Sequence, residues 1–161
     1  MKNQIIVHGL SIEDDIWDVQ GIVDFELGNI VSLKDFVLKY FWLHPKKWNQ
    51  GGYDLVCLLK IGNEYVLRFV QITAAHEHSL KLKYFKDFAT TIIEKFNIVV
   101  PRSEIIMLVP DEETARHFRI LHSQVKYSGL LCAWICGETS ENWQKGKEED
   151  QVKVLWFDSN K

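Results

Sequence analysis

The sequence predicts an α/β fold, and three observations carry that expectation. Two β-rich runs flank Gly62-Asn63 as a hairpin, an amphipathic helical pattern follows directly, and a short buried-strand pattern comes after the helix. With 161 residues the chain suits one domain over 1–161 better than two. Hydrophobic residues make up 47% and charged residues 25%, which is enough apolar material to close a core.

The elements are read in chain order. Residues 4–8 form a short strand, and residues 9–21, with Glu13, Asp14, Asp15 and Asp18, form an acidic irregular stretch. In residues 23–42, Phe25, Leu27, Ile30, Leu33, Phe36, Val37, Tyr40 and Phe41 recur at steps of three and four, which predicts a helix. Gly28 and Asn29 are where it can split, and Pro45 ends it. Residues 46–52 are a loop, 53–61 a strand, and 64–73 the return strand of the hairpin.

The clearest helix spans 80–96: Leu82, Phe85, Phe88, Ala89, Ile92, Ile93 and Phe96 share one face, with lysines on the other. Residues 104–109 are a buried strand, and Asp111 can cap a helix over 112–122. Strands are expected at 130–136 and 152–157, with a polar, charged loop between them.

Composition narrows the function. A net charge of -3 argues against a protein that coats DNA by charge alone, while leaving room for an acidic site that meets phosphate through a metal. Six Trp, nine Phe and five Tyr are read first as core material. Cys57, Cys132 and Cys136 are too few for a disulfide framework and lack partners at zinc-ligand spacing, so buried free thiols are expected. No apolar run approaches the ~18 residues of a membrane span, and the apolar part of the N-terminus is too short for a signal peptide. An intracellular protein without membrane contact is the expectation, and the chain can be a domain of something longer.

The hairpin is where chemistry is expected. With a two-residue turn at Gly62-Asn63, Ile61 faces Glu64, Val56 faces Phe69 and Asp54 faces Gln71. Asp54, Gln71 and Thr73 then share a face, with the first two Cβ atoms about 5 Å apart. Oxygen ligands converging at a strand end suit Mg²⁺, which takes one or two carboxylates and keeps several waters. A metal held there can generate hydroxide and stabilise charge in phosphodiester hydrolysis. A neutral Gln supplies less field than Glu, and Glu26 on the first helix is the candidate for a further carboxylate. Each residue also has a plain structural reading: Asp54 beginning a strand after a turn, Gln71 bonded to backbone. His76-Glu77-His78 invites a metal reading but is equally a solvated loop, and Lys81 and Lys83 at the helix start can meet phosphate or solvent.

Asp54, then Gln71 and Thr73 in a Gln-x-Thr pattern, then His78 and Lys81, resemble the divergent PD-(D/E)XK nuclease domain of Crinkler effectors and the related retrotransposon hot spot proteins. The match covers about thirty residues, and the helix-hairpin-helix-strand order extends it over most of 23–109. The resemblance implies a restriction-endonuclease-like αβββαβ core over roughly 23–136, a central mixed sheet flanked by helices, dependence on Mg²⁺ or Mn²⁺, and DNA as substrate. It implies that Asp54 binds metal, that Gln71 takes the second ligand position with Glu26 as a further ligand, that Lys81 replaces the lysine missing at Thr73, and that His78 acts as base or phosphate contact. It also implies a host-nuclear site of action and an NTPase-like domain in a longer parent chain. No Gly-x-x-x-x-Gly-Lys-Ser/Thr phosphate loop occurs here.

Two other functions compete. One is a catalytically inactive nuclease fold used to bind protein or nucleic acid. The other is an assembly domain with an exposed apolar patch around Trp42, Trp48 or Trp143.

Overall fold

A computed structural model of the chain describes residues 3–10, 12–47, 52–79, 82–121 and 153–157. The fold is mixed α/β around one eight-stranded sheet. Strands β1 (Asn3–Gly9) and β2 (Ile12–Val19) form an antiparallel pair at one end of the sheet. At the other end β3 (Ile22–Phe25) lies parallel to β4 (Trp42–Pro45). Between β3 and β4 the chain makes a 3-10 segment (Leu27–Leu33) and a short helix α1 (Lys34–Leu38).

The hairpin follows as β5 (Leu55–Ile61) and β6 (Glu64–Ile72), with Ile61 opposite Glu64 and Val56 opposite Phe69. Gly62 has φ +62° and Asn63 stays at negative φ, the pattern of a II′ hairpin turn. The two-residue turn and its register are therefore as the sequence predicts.

After β7 (Glu77–Ser79), helix α2 (Leu82–Phe96) carries the chain back to β8 (Arg102–Val109), which lies parallel to β6. Phe85, Phe88, Ala89, Ile92 and Phe96 are buried along one side of α2. Asn97 then takes φ 52° and the Ile98 amide reaches back to the Ile93 carbonyl at 3.3 Å, a Schellman-type stop that asparagine tolerates better than most residues. Helix α3 (Glu112–His117) starts at Asp111, whose carboxylate accepts from the Thr114 amide at 2.8 Å. Strand β9 (Arg119–Leu121) pairs with β7 in a small two-stranded sheet, and β10 (Lys153–Phe157) lies parallel to β8.

The large sheet runs β2-β1-β10-β8-β6-β5-β4-β3. Its two edge strands, β2 and β3, are separated in sequence only by Gln20 and Gly21. The chain can pass from one edge to the other so quickly only if the sheet curls until its edges approach. Trp17 on β2 accordingly meets Trp42 on β4, with ring centroids 5.6 Å apart.

Curling creates two cores. Outside the curl, Val56, Leu58, Leu67, Phe69, Ile105 and Met107 pack against α2 and the other described helices. Tyr53, Phe69, Phe85 and Phe88 meet there at ring distances of 4.9–5.9 Å. Inside the curl, Val7, Trp17, Trp42, Cys57, Val70, Ile106, Leu108 and Leu155 pack on one another, with no helix among the described residues of this cluster. Fully burying such a side chain stabilises the fold by ~1.5–3 kcal/mol, so both cores matter.

Several expectations need correction. The acidic stretch at 9–21 is mostly strand β2: its charges sit on a sheet edge, where they oppose pairing with other chains, while Trp17 points inward. The expected helix over 23–42 divides into β3, the 3-10 segment, α1 and the start of β4. Its spacing of three and four is met by residues of three elements, because β3–β4 pairing supplies hydrogen bonds that local periodicity does not reveal. The helix expected over 112–122 stops at His117, where Phe118 turns into the core. Trp42 is 3% exposed and belongs to the inner core, so it forms no surface patch. Cys57 is a buried free thiol, as expected. Trp48, Trp143, Cys132, Cys136, the strand read at 130–136 and the loop after it lie outside the described residues.

Candidate functional site

The C-terminal ends of β3, β4, β6 and β8 and the N-terminal end of β5 all lie at one end of the sheet, as their pairing directions require. Asp54 stands immediately before β5. Its amide donates to the Val70 carbonyl at 2.8 Å, which ties it to β6 although it precedes the regular ladder. Its Oδ2 accepts from the Gln71 Nε2 at 2.9 Å and from the Ile72 amide at 2.7 Å. Acid and amide thus meet side by side, as the hairpin register predicts. Both are half-buried, at the rim of the helix-covered face where Val56, Leu58, Leu67 and Phe69 form the apolar floor.

The remaining sequence candidates surround this pair unevenly. Thr73 follows β6, its amide donating to the Leu108 carbonyl at 3.0 Å and its Oγ1 accepting from the Ala75 amide at 3.1 Å. Its hydroxyl therefore shapes the exit from the strand. His78 lies on β7, opposite Ile120 of β9, in the small sheet. Glu26 is exposed at the start of the 3-10 segment. It follows Phe25, which pairs with Pro45, and continuing the β4–β5 register puts Pro45 opposite Asp54. Glu26 is thus at the same end of the sheet, two strands away, a separation on the order of 10 Å by strand spacing. Among the described residues no hydrogen bond or ion pair joins it to Asp54 or Gln71, and no group of three or more His, Cys, Asp or Glu gathers where it could hold a metal ion. Lys81 lies outside the described residues.

The donor set can be tested against a divalent cation on its chemistry. Asp54 Oδ2 has two protein donors, whereas Oδ1 has none among the described residues. The Gln71 amide now presents its N–H to the carboxylate, and a half-turn about its last side-chain bond would present the carbonyl oxygen instead. One free carboxylate oxygen beside a neutral amide, at a half-exposed strand end, fits a largely hydrated Mg²⁺ or Mn²⁺.

A second polar constellation, absent from the sequence reading, lies on the opposite face of β6. Arg68, 8% exposed, donates from Nε to Glu104 Oε2 on β8 at 2.8 Å. Its guanidinium carbon sits 4.9 Å over the Trp17 ring, and one Nη is 3.6 Å from Asp15 Oδ2. Lys153 on β10 lies 3.5 Å from Glu104 Oε1. The sequence signal was available: a lone arginine interrupts the apolar run Val66, Leu67, Phe69, Val70, and a charged residue there needs a buried partner. Cys57 is Arg68's neighbour on β5, and burial pushes its thiol from 9.0 to about 12, with Arg68 pulling down and Glu104 pushing up more weakly.

No family model matches the chain, and no curated protein or solved structure matches it. The functional reading therefore stands on the chain's own residues.

Proposed function

We propose that the Asp54–Gln71 end of the sheet is a site for metal-dependent hydrolysis of DNA phosphodiesters, in a restriction-endonuclease-like domain of the Crinkler kind. The observation that carries the reading is the side-by-side placement of Asp54 and Gln71 on neighbouring antiparallel strands. Its setting supports it: α1 is followed by β4, β5 and β6, each antiparallel to the next, then α2, then β8 parallel to β6. With the three-residue β7 before α2 set aside, that order is similar to αβββαβ, with the acid at the start of the second strand and Gln-x-Thr at the end of the third.

In this proposal Asp54 holds Mg²⁺ or Mn²⁺, with Gln71 and Glu26 as further oxygen donors. The metal, when bound, supplies a hydroxide nucleophile and neutralises charge on the phosphate. Asp54 and Gln71 orient one another through their hydrogen bond. Thr73, in the place of the usual lysine, can offer its hydroxyl hydrogen to a phosphate oxygen. Lys81, one residue before α2 in the sequence, supplies positive charge, and His78 takes a proton or contacts phosphate.

A second reading is favoured by one specific observation. Asp54 Oδ2 is already satisfied by Gln71 and Ile72, as a structural clasp of the hairpin end would be. On that reading the domain is an inactive nuclease fold that binds protein or nucleic acid.

Plasmid cleavage separates the two. The nuclease reading expects Mg²⁺- or Mn²⁺-dependent nicking, abolished by EDTA and reduced by at least about 100-fold in Asp54→Ala, more than loss of an outer-shell group typically costs. Gln71→Ala should be weakened less. Cleavage that survives Asp54→Ala overturns the mechanism. Wild-type protein that neither cleaves nor broadens its Asp54 and Gln71 resonances on Mn²⁺ titration belongs to the inactive class.

A further inference from the structure

Inside the curl a cavity of about 330 Å³ opens against Arg68, bounded by Trp17 and Trp42, by Tyr40 and Leu59, and by Asp15, Asp18 and Lys60. Its size lies at the lower end of small-molecule pockets. At ~30 Å³ per water it has room for on the order of ten water molecules, so a compact metabolite fits and a nucleotide-sized ligand fills it beyond capacity.

The chemistry of the lining is more selective than its size. The Arg68 guanidinium has five N–H donors. Nε–H is taken by Glu104, and the Asp15 contact at 3.6 Å is too long for a hydrogen bond. Among the described residues neither Nη group makes a hydrogen bond, although the side chain is 10% exposed. Buried donors left without acceptors are costly. The two Nη groups form an end-on fork whose geometry matches the paired oxygens of a carboxylate.

A simple anion is nonetheless a poor occupant. Asp15 stands beside that fork and Glu104 holds its Nε side, so the guanidinium already faces two carboxylates and an added simple anion is repelled. Asp18 turns its carboxylate to Gln4 at 2.8 Å and Lys60 its ammonium over the Tyr65 ring, both away from Trp17 and Leu59, so neither balances charge inside. An occupant carrying its own ammonium next to its carboxylate answers both signs. Trp17 and Trp42, tilted against one another with centroids 5.6 Å apart, and Leu59 offer an apolar wall for a side chain. Cys57 in that wall, its thiol kept neutral by burial, adds no covalent chemistry.

We propose that this cavity binds a small zwitterion, an α-amino acid with an apolar or aromatic side chain, its carboxylate on the Arg68 fork and its ammonium toward Asp15. The site is independent of the nuclease reading, because Arg68 and Gln71 project from opposite faces of β6.

Calorimetric titration of the full chain with L-phenylalanine, 3-phenylpropionate and phenethylamine tests it. L-phenylalanine should bind saturably, and each half-ligand, lacking one charged group, should bind at least about tenfold more weakly. Arg68→Lys keeps a cation for Glu104 but loses the fork, and should also weaken L-phenylalanine by about tenfold or more. Asp15→Asn should weaken it through the ammonium and serves as the deciding variant if Arg68→Lys does not fold. Asp54→Ala should leave binding unchanged, which separates this site from the nuclease site. No heat from L-phenylalanine, L-leucine or L-tryptophan overturns the proposal. So does 3-phenylpropionate binding as tightly as L-phenylalanine, or affinity that persists undiminished in a folded Arg68→Lys or Asp15→Asn protein.

Discussion

Strand β6 carries two polar side chains three residues apart, and the alternation of a strand sends them to opposite faces. Gln71 meets Asp54 across an antiparallel neighbour at the open end of the helix-covered face. Arg68 meets Glu104 across a parallel neighbour, deep inside the curl, where both side chains are about 10% exposed. The first pair is half in water and held partly by backbone, since the Ile72 amide shares Asp54 Oδ2. The second is a largely buried ion pair walled by Trp17 and Cys57, with the cavity beside it. The contrast teaches that a cross-strand pair at a strand end retains capacity for a ligand, whereas one in the middle of a strand is committed first to the fold. What Arg68 retains for a ligand is only the part of its guanidinium that Glu104 does not use.

The comparison is most easily broken at Arg68. Arg68→Met removes the partner of the nearly buried Glu104 Oε2 and should destabilise the protein by about 3–5 kcal/mol in urea denaturation. Replacing Glu104 by Met as well should recover most of that loss. A cost below about 1 kcal/mol would make the pair equivalent to an exposed salt bridge and remove the distinction.

Asp54→Ala should cost less, about 1–2 kcal/mol in the same assay, because the Gln71 amide and the Ile72 N–H lose their acceptor at a site that water can reach. A loss as large as that of Arg68→Met would mean that the strand end is structural, and would favour the inactive module.

The finest probe is alkaline pH. The Cys57 thiol is held near 12 in the fold and titrates at 9.0 when unfolded. Below pH 9 both states keep the proton and the thiol adds no pH dependence. Above it the unfolded state releases its proton first, so stability falls as pH rises from 9 toward 12, by about 1 kcal/mol at pH 10. The difference in denaturation midpoint between wild type and Cys57→Ala, followed from pH 8 to 10, isolates this contribution. A midpoint difference that stays flat would show that water solvates the Cys57 thiol itself.

Parts of this architecture were legible before any coordinates. Gly62-Asn63 between alternating β-rich runs specified the turn, the turn specified the register, and the register brought Asp54 to Gln71. Helix α2 declared itself by Phe85, Phe88, Ala89 and Ile92 on one face. These signals are local: each lies within one element or across one tight turn. Strand β2 was missed because three aspartates mask its alternation, and β3 because Val23 and Phe25 also satisfy a helical spacing.

The amino-acid order by itself determined an α/β class, the hairpin with its acid–amide pair, and the main helix, since turn chemistry and side-chain periodicity act between near neighbours. Tertiary structure alone decided that the sheet curls, that Trp17 and Trp42 close an inner core, and that Arg68 finds Glu104, thirty-six residues further along the chain. Those outcomes depend on pairings between distant strands, whose hydrogen bonds and buried area leave no periodic trace in the sequence they join.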